Sequence, residues 1–158
     1  MRVIEIGIPG RQKISLSHLV LDFNGTLACD GHLLPGIKDR LAVLAEKLHV
    51  HVVTADTFGL VRETTCNVPC SITILSPGLQ AESKLSHVQT LGTESCVCIG
   101  NGYNDRLMVQ DAAVGIAVVQ GEGAATETML AADVVVTNIF DALDLLVSPL
   151  RLGATLRD

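Results

Sequence analysis

The stretch Leu19-Val20-Leu21-Asp22-Phe23-Asn24-Gly25-Thr26-Leu27 decides how the rest of the chain is read. Leu19 to Leu21 is an apolar run too short for a helix, so it reads as a buried strand. The apolar character stops at Asp22. Asn24-Gly25 is a turn dipeptide, and Thr26 offers a hydroxyl and a backbone N–H to an anion. Taken alone, the stretch is equally a strand ending in an Asn-Gly turn with a solvated carboxylate. The downstream residues decide between the two.

Composition narrows the choices. The chain has 158 residues, 48% of them hydrophobic but only 3% aromatic, and a formal charge of −6. Its length suits one domain, 1–158, with a core of Leu, Val, Ile and Ala. Few aromatics and a negative charge argue against a nucleic-acid partner. A local site can still oppose the global sign and take a small phosphorylated ligand. No apolar run approaches a membrane span, and Met1 to Ile8 is too short for a signal-peptide core. The expectation is therefore a cytoplasmic protein whose five cysteines are reduced thiols. Cys96 and Cys98 share one face of a strand and read as buried structural residues. Cys66 and Cys70 lack the companion pair of a metal or redox motif. His49 and His51 share a strand face; solvated or edge-facing histidines are preferred there over a metal pair.

Strand patterns fall at Val3–Ile8, His18–Asp22, His49–Thr54, Ser71–Leu75, Ser95–Ile99, Val114–Val119 and Val134–Val136. Helical patterns lie between them. One follows Pro35-Gly36, with Ile37, Leu41, Leu44, Ala45 and Leu48 on one face. The others span Asp56–Thr65, Ala81–Leu91, Asn104 to about Ala112, Ala124–Ala131 and Phe140–Val147. Cys29–Gly36 is turn-rich, and the tail from Leu150 has no assignment. This alternation predicts an α/β fold, a three-layer Rossmann-like parallel sheet with helices on both faces. Such sheets place ligands beyond the carboxyl ends of their strands.

Three strand ends carry polar groups: Asp22, Thr54, and the Gly100-Asn101-Gly102 loop leading through Asn104 to Asp105. Lys84 lies near the start of a helix. Together they supply a carboxylate to attack phosphorus, a hydroxyl and an ammonium to hold phosphoryl oxygens, and a second carboxylate for a metal ion. Phosphoryl transfer asks chiefly for positioning and charge neutralisation, so this set suffices.

Leu21-Asp22-Phe23-Asn24-Gly25-Thr26 resembles the first motif of the haloacid dehalogenase (HAD) superfamily. Thr54 fits the second motif, Lys84 the third, and Ile99-Gly100-Asn101-Gly102-Tyr103-Asn104-Asp105 the fourth. The run through Gly115-Ile116-Ala117 and Ala131-Ala132-Asp133-Val134-Val135 to Ala142-Leu143 is similar to the phosphorylation domain of P-type ATPases. The whole resembles small soluble P-type-ATPase-like proteins. The resemblance implies an Mg²⁺-dependent phosphatase with Asp22 as nucleophile, Asn24 in the acid/base position, and a catalytic Lys84. It implies phosphate binding by Thr54, Lys84, Gly25 and Thr26. It implies metal binding by Asp22, the main chain of Asn24, Asn101 and Asp105.

Two positions depart from the family. Asn24 stands where a phosphatase has Asp, and an amide cannot exchange a proton at neutral pH. Asn101 stands where a metal-binding Asp is usual, and its oxygen brings no charge. With Asp22 and Asp105 as the only carboxylates, Mg²⁺ and Lys84 leave the site one net positive charge, against one negative in the usual four-carboxylate site. Weak Mg²⁺ binding and slow turnover are the expectation. The gaps between Thr26, Thr54 and Lys84 leave no room for a cap or nucleotide-binding domain. A capless site opens to a small phosphorylated molecule or a phosphoprotein, or is closed by a second subunit of a homo-oligomer. The alternative function is a catalytically weak module that binds a phosphorylated ligand or a partner, carrying a long-lived phosphate on Asp22.

Overall fold

The computed structural model describes residues 1–158. In chain order the elements are β1 (Ile4–Ile6), β2 (Ile14–Leu16), β3 (His18–Leu21), β4 (Ala28–Cys29), β5 (His32–Leu33), α1 (Ile37–Ala45), β6 (His49–Thr54), α2 (Val61–Thr64), β7 (Ser71–Ile74), α3 (Gln80–Leu91), β8 (Cys96–Gly100), α4 (Arg106–Asp111), β9 (Val114–Val118), α5 (Thr126–Ala131), β10 (Val134–Val136), α6 (Ile139–Val147) and α7 (Pro149–Thr155). Single 3₁₀ turns precede β8 and α4.

Six strands form the main sheet in the order β10-β9-β8-β3-β6-β7, all parallel. The stretch around Leu19 thus forms an interior strand, flanked by β8 and β6. Side-chain alternation splits each strand between two layers. Leu19, Leu21, Val50, Val52, Val97 and Ile99 join the larger core cluster, with the apolar faces of α1 and α6. Val20, Val53, Cys96 and Cys98 face the other way, toward Val88 of α3 and Met108 and Val109 of α4. This is the three-layer α/β architecture expected from the alternating pattern.

Both β8 cysteines are fully buried. Burial pushes the Cys96 thiol up to about 11 and the Cys98 thiol well above its usual range, so they pack as small apolar groups. All five cysteines are free thiols.

The pattern from Val3 to Ile8 is a strand only over Ile4–Ile6, and it lies outside the main sheet. It pairs antiparallel with β2, a strand without a sequence signal of its own. The unassigned tail forms α7, which packs against β1 and α6. Pro149 in its first turn has the fixed φ that suits a helix start. A seven-residue helix containing Gly153 has little periodicity to read. The turn-rich Cys29–Gly36 segment contains a tight hairpin of β4 and β5. Its tip, Asp30-Gly31, has φ of 50° and 81°. Left-handed residues at both central positions match the twist of a two-residue hairpin.

Gly115 on β9 is set by close approach rather than by φ. A Cβ there would lie 2.1 Å from the carbonyl oxygen of Val109. Gly115→Ala must part α4 from the sheet and is expected to cost about 1–3 kcal/mol. Urea denaturation checks this: a midpoint equal to wild type would contradict the tight packing.

Candidate active site

Asp22 leaves the carboxyl end of β3, and its N–H still bonds to Ile99 O on β8 at 3.0 Å. The chain then folds into a tight loop in which Phe23 O accepts from the N–H groups of Thr26, Leu27 and Ala28. Gly25 turns this loop at φ 82°. A Cβ at Gly25 would lie 2.4 Å from Asn101 Nδ2 and 2.6 Å from Glu122 Oε2. The loop thus lies directly against the loops that follow β8 and β9.

Lys84 is the centre of the electrostatics. Its Nζ donates to Asp22 Oδ1 at 2.7 Å and to Asp105 Oδ1 at 2.6 Å. It sits at a core position of α3, in line with Ala81 and Val88, and is completely buried. Burial alone would lower its pKa, but the two carboxylates hold it above its ordinary value. Two carboxylates sharing one ammonium leave the cluster one negative charge in excess. Burial, followed by the charge on Asp105, pushes Asp22 up to about 6 against the pull of Lys84. Of the two, Asp22 is the one in contact with the cavity.

That cavity, about 310 Å³, is lined by polar groups with Ala55 as the one apolar member. Asp22, Asn24, Thr54 and Asn101 line it, as expected from the sequence. Thr54 Oγ1 accepts from the N–H of Asp56 at 3.0 Å, which leaves its proton free to donate. Asp56 itself has φ 51° and caps α2 by accepting from Leu60 and Val61 N–H.

Four expectations are refined by the contacts. Asp105 does not face the cavity: Oδ1 is held by Lys84, and Oδ2 accepts from Asn101 and Gly102 N–H at 3.0 and 2.9 Å. Fully buried, with both oxygens engaged, it positions Lys84 and the loop after β8. Gly25 and Thr26 do not offer backbone donors to an anion. The N–H of Gly25 bonds to Ala28 O at 2.7 Å and that of Thr26 to Phe23 O at 3.2 Å. The Thr26 hydroxyl instead spans Asp22 Oδ2 and Asn101 Oδ1, at 3.4 and 3.3 Å. The Asn24 side chain accepts from Gly31 N–H at 2.9 Å, so it braces the hairpin as well as lining the cavity. Lys84 also lies under the cavity rather than in its wall; two of its three donors are engaged.

Sequence reading missed Glu122, Gln120, Thr57 and Gln80. Glu122 lines the cavity beside Asn24 and Asn101. Its signal was available: Gly121-Glu122-Gly123 follows β9, another carboxyl strand end in the same sheet. Gln120 donates to Gly25 O and Thr26 O at 3.2 and 2.7 Å and accepts from Ile139 N–H at 2.9 Å. It fastens the Asp22 loop to the start of α6. Gln80 accepts from Asn104 Nδ2 at 2.9 Å on the cavity rim.

A divalent metal can be tested against these donors. The cavity offers the carboxylates of Asp22 and Glu122, the Asn101 amide oxygen and the main chain at Asn24. This all-oxygen set suits a hard cation such as Mg²⁺.

No family model matches the chain. Among curated proteins it is 44% identical to the uncharacterized protein MJ0073 of Methanocaldococcus jannaschii over 85 residues, which is 51% of this chain and 91% of the relative. Among solved structures it superimposes on the cobalt-bound deoxy-D-mannose-octulosonate 8-phosphate phosphatase YrbI of Haemophilus influenzae. The TM-score is 0.70 with 14% identity, over 88% of this chain and 91% of that one. The corresponding Moraxella catarrhalis phosphatase, solved with magnesium, phosphate and KDO, gives a TM-score of 0.66 with 17% identity, over 88% and 90% of the two chains. A zinc-transporting PIB-type ATPase matches at a TM-score of 0.61 and 22% identity, over 77% of this chain and 20% of the pump. The chain therefore belongs to the family of MJ0073 and is built on the HAD-superfamily fold.

Proposed function

We propose that the protein is a metal-dependent phosphohydrolase that cleaves phosphate esters through an aspartyl phosphate on Asp22. The observation that carries this reading is the buried Asp22–Lys84–Asp105 cluster under a polar cavity that also receives the Thr54 hydroxyl. Lys84 fixes Asp22 Oδ1, so Oδ2 is the oxygen left to attack phosphorus. A bond forms from Oδ2 to phosphorus as the ester P–O bond breaks and the leaving alkoxide departs with the bonding pair. Thr54 stabilises the transferred phosphoryl oxygens, and Lys84 acts from beneath the cavity through its charge and its hold on Asp22. Water then hydrolyses the acyl phosphate and restores the carboxylate. Asp22, Glu122, Asn101 and the main chain of Asn24 would hold Mg²⁺, which when bound neutralises phosphoryl charge. With no cap elements over the cavity, a small phosphorylated molecule or a phosphoprotein side chain is the substrate class. The test is hydrolysis of an aryl phosphate with Mg²⁺ present: activity is expected in wild type and absent in Asp22→Asn. Activity that survives Asp22→Asn rules out the aspartyl-phosphate route.

Asn24 favours a second reading, a module carrying a long-lived phosphate. No side chain at this position can protonate the leaving group or activate water. A positioned acid/base is worth about 10²–10⁴ in rate. Because an Asp at 24 keeps an acceptor for Gly31 N–H, Asn24→Asp is expected to raise turnover within that range. Unchanged kcat would show that proton transfer does not limit hydrolysis.

Glu122 revises the charge balance. Adding its carboxylate to the site cancels the net positive charge expected from Asp22 and Asp105 alone. Glu122→Gln is expected to weaken Mg²⁺ or Mn²⁺ binding about tenfold, and Asn101→Asp in that background to recover it. Equal Mn²⁺ affinity in wild type and Glu122→Gln, read by electron paramagnetic resonance, would remove Glu122 from the metal's ligands.

A further inference from the structure

Four of the chain's five histidines gather at the end of the sheet opposite Asp22. His18 and His49 are the first residues of β3 and β6, paired in register. His51 follows on the same face of β6. That face is covered by α3, which contributes His87 one turn after Lys84. Of the pair expected to be solvated or edge-facing, His49 is exposed, whereas His51 is half-buried on a strand inside the sheet.

The rings are closely placed. His18 Nδ1 lies 3.1 Å from His51 Nε2. Ring centres are 5.3 Å apart for His18–His51, 5.4 Å for His18–His49 and 5.6 Å for His51–His87. A tetrahedral Zn²⁺ with bonds of about 2.0–2.1 Å holds its ligand nitrogens ~3.3 Å apart and imidazole centres ~5.2 Å apart. The His18–His51 and His51–His87 ring spacings are close to that value, and the two nearest nitrogens, His18 Nδ1 and His51 Nε2, now share a hydrogen bond. A separate feature points the same way: His87 Nε2 is buried and has no hydrogen-bond partner. Leaving such a group unsatisfied is unfavourable, and a metal ion removes the penalty.

We propose that His18, His51 and His87 form a site for a borderline divalent cation of the Zn²⁺ type, binding through His18 Nδ1, His51 Nε2 and His87 Nε2. As the side chains stand, no three of the chain's His, Cys, Asp or Glu side chains are placed to hold a metal ion, so binding requires the rings to move. The His87 ring, which now meets His51 at 67°, turns as the metal enters. His49, the most exposed of the four, or a water takes the fourth position. A cavity of about 300 Å³ reaches His49 and His51 from the surface, with Arg2 and Cys70 also in its wall. Imidazole nitrogens select Zn²⁺ and its neighbours over Mg²⁺, whereas the oxygen-lined cavity near Asp22 does not exclude either.

Bound metal would tie α3, the helix that carries Lys84, to β3 and β6.

The test is titration of metal-free protein near neutral pH with Zn²⁺, and with Co²⁺ as a spectroscopic probe. One equivalent is expected to bind with the intense visible Co²⁺ bands of a tetrahedral nitrogen site, distinct from the pale spectrum of Co²⁺ held by the oxygen-lined cavity, and Zn²⁺ to raise the melting temperature. Each of His51→Ala, His18→Gln and His87→Gln is expected to weaken binding more than about tenfold, the scale on which even outer-shell changes act. His18→Gln, at the start of its strand, serves if His51→Ala fails to fold. Asp22→Asn, which alters the oxygen-lined cavity, is expected to keep the tetrahedral Co²⁺ bands. Absence of these bands, bands unaffected by the folded histidine variants, or their loss in Asp22→Asn would each overturn the site.

Discussion

Replacing Lys84 by methionine is expected to destabilise the protein by about 3–5 kcal/mol, the cost of removing one partner from a buried ion pair. Methionine fills similar volume, so packing is little changed. What remains is two buried carboxylates, Asp22 and Asp105, with no cation between them. Lys84 now pulls the Asp22 pKa down against burial and Asp105. Without it, Asp22 titrates above its present value of about 6 and takes up a proton near neutrality. The deficit is therefore expected to be largest at alkaline pH and to shrink as pH falls and Asp22 is neutralised. Urea denaturation of Lys84→Met and wild type across that range measures both features. A loss under about 1 kcal/mol at alkaline pH would mean the cluster is hydrated in a way its burial does not suggest. Phosphoryl transfer is expected to be lost as well, since Asp22 Oδ1 has no other strong donor.

Asp22→Asn is expected to have opposite effects on activity and stability. Hydrolysis should fall to background, because an amide oxygen does not form the acyl phosphate. Stability near neutral pH should rise by about 1–3 kcal/mol. In the folded protein Asp22 titrates at about 6, against 3.8 without the surrounding structure. The protonated carboxyl therefore favours the fold. That contribution is complete below the unfolded value and is lost as pH rises through about 6. Asparagine has no such proton to lose, so the two stability curves should coincide in acid and separate above it. The full shift corresponds to about 3 kcal/mol. Weakening the hydrogen bond from Lys84 to a neutral amide reduces the gain. Thermal melts at several pH values decide the matter. A variant less stable than wild type near neutral pH would show that the Asp22–Lys84 pair is net stabilising. A gain would place this protein among those that retain an unfavourable charge where activity needs it.

The α/β fold was legible from the apolar runs at Leu19–Leu21, His49–Thr54 and Val114–Val119, because strands buried on both faces carry a strong local signal. The hairpin at Asp30-Gly31, the β1–β2 pair and α7 were not read, although the Asp-Gly dipeptide is a recognisable turn signal. β2 has three residues and α7 seven, too few for their periodicity to stand above the background. Their place is decided by long-range packing, as where Gly153 leaves no room for a Cβ against Gly7 O.

The chemistry divides in the same way. Residue identity alone placed Asp22, Thr54, Lys84 and Asn101 at or beside one site, since strand ends of a parallel sheet converge. It also determined that Asn24 cannot carry a proton. Only the tertiary structure decided what each oxygen and nitrogen faces. It turned Asp105 inward to Lys84 and closed the N–H groups of Gly25 and Thr26 within their own loop. It also brought Glu122 to the cavity and gathered His18, His51 and His87 at the opposite end. Hydrogen bonds and ion pairs between residues far apart in the chain depend on where the backbone carries them, and local sequence patterns do not encode that distance.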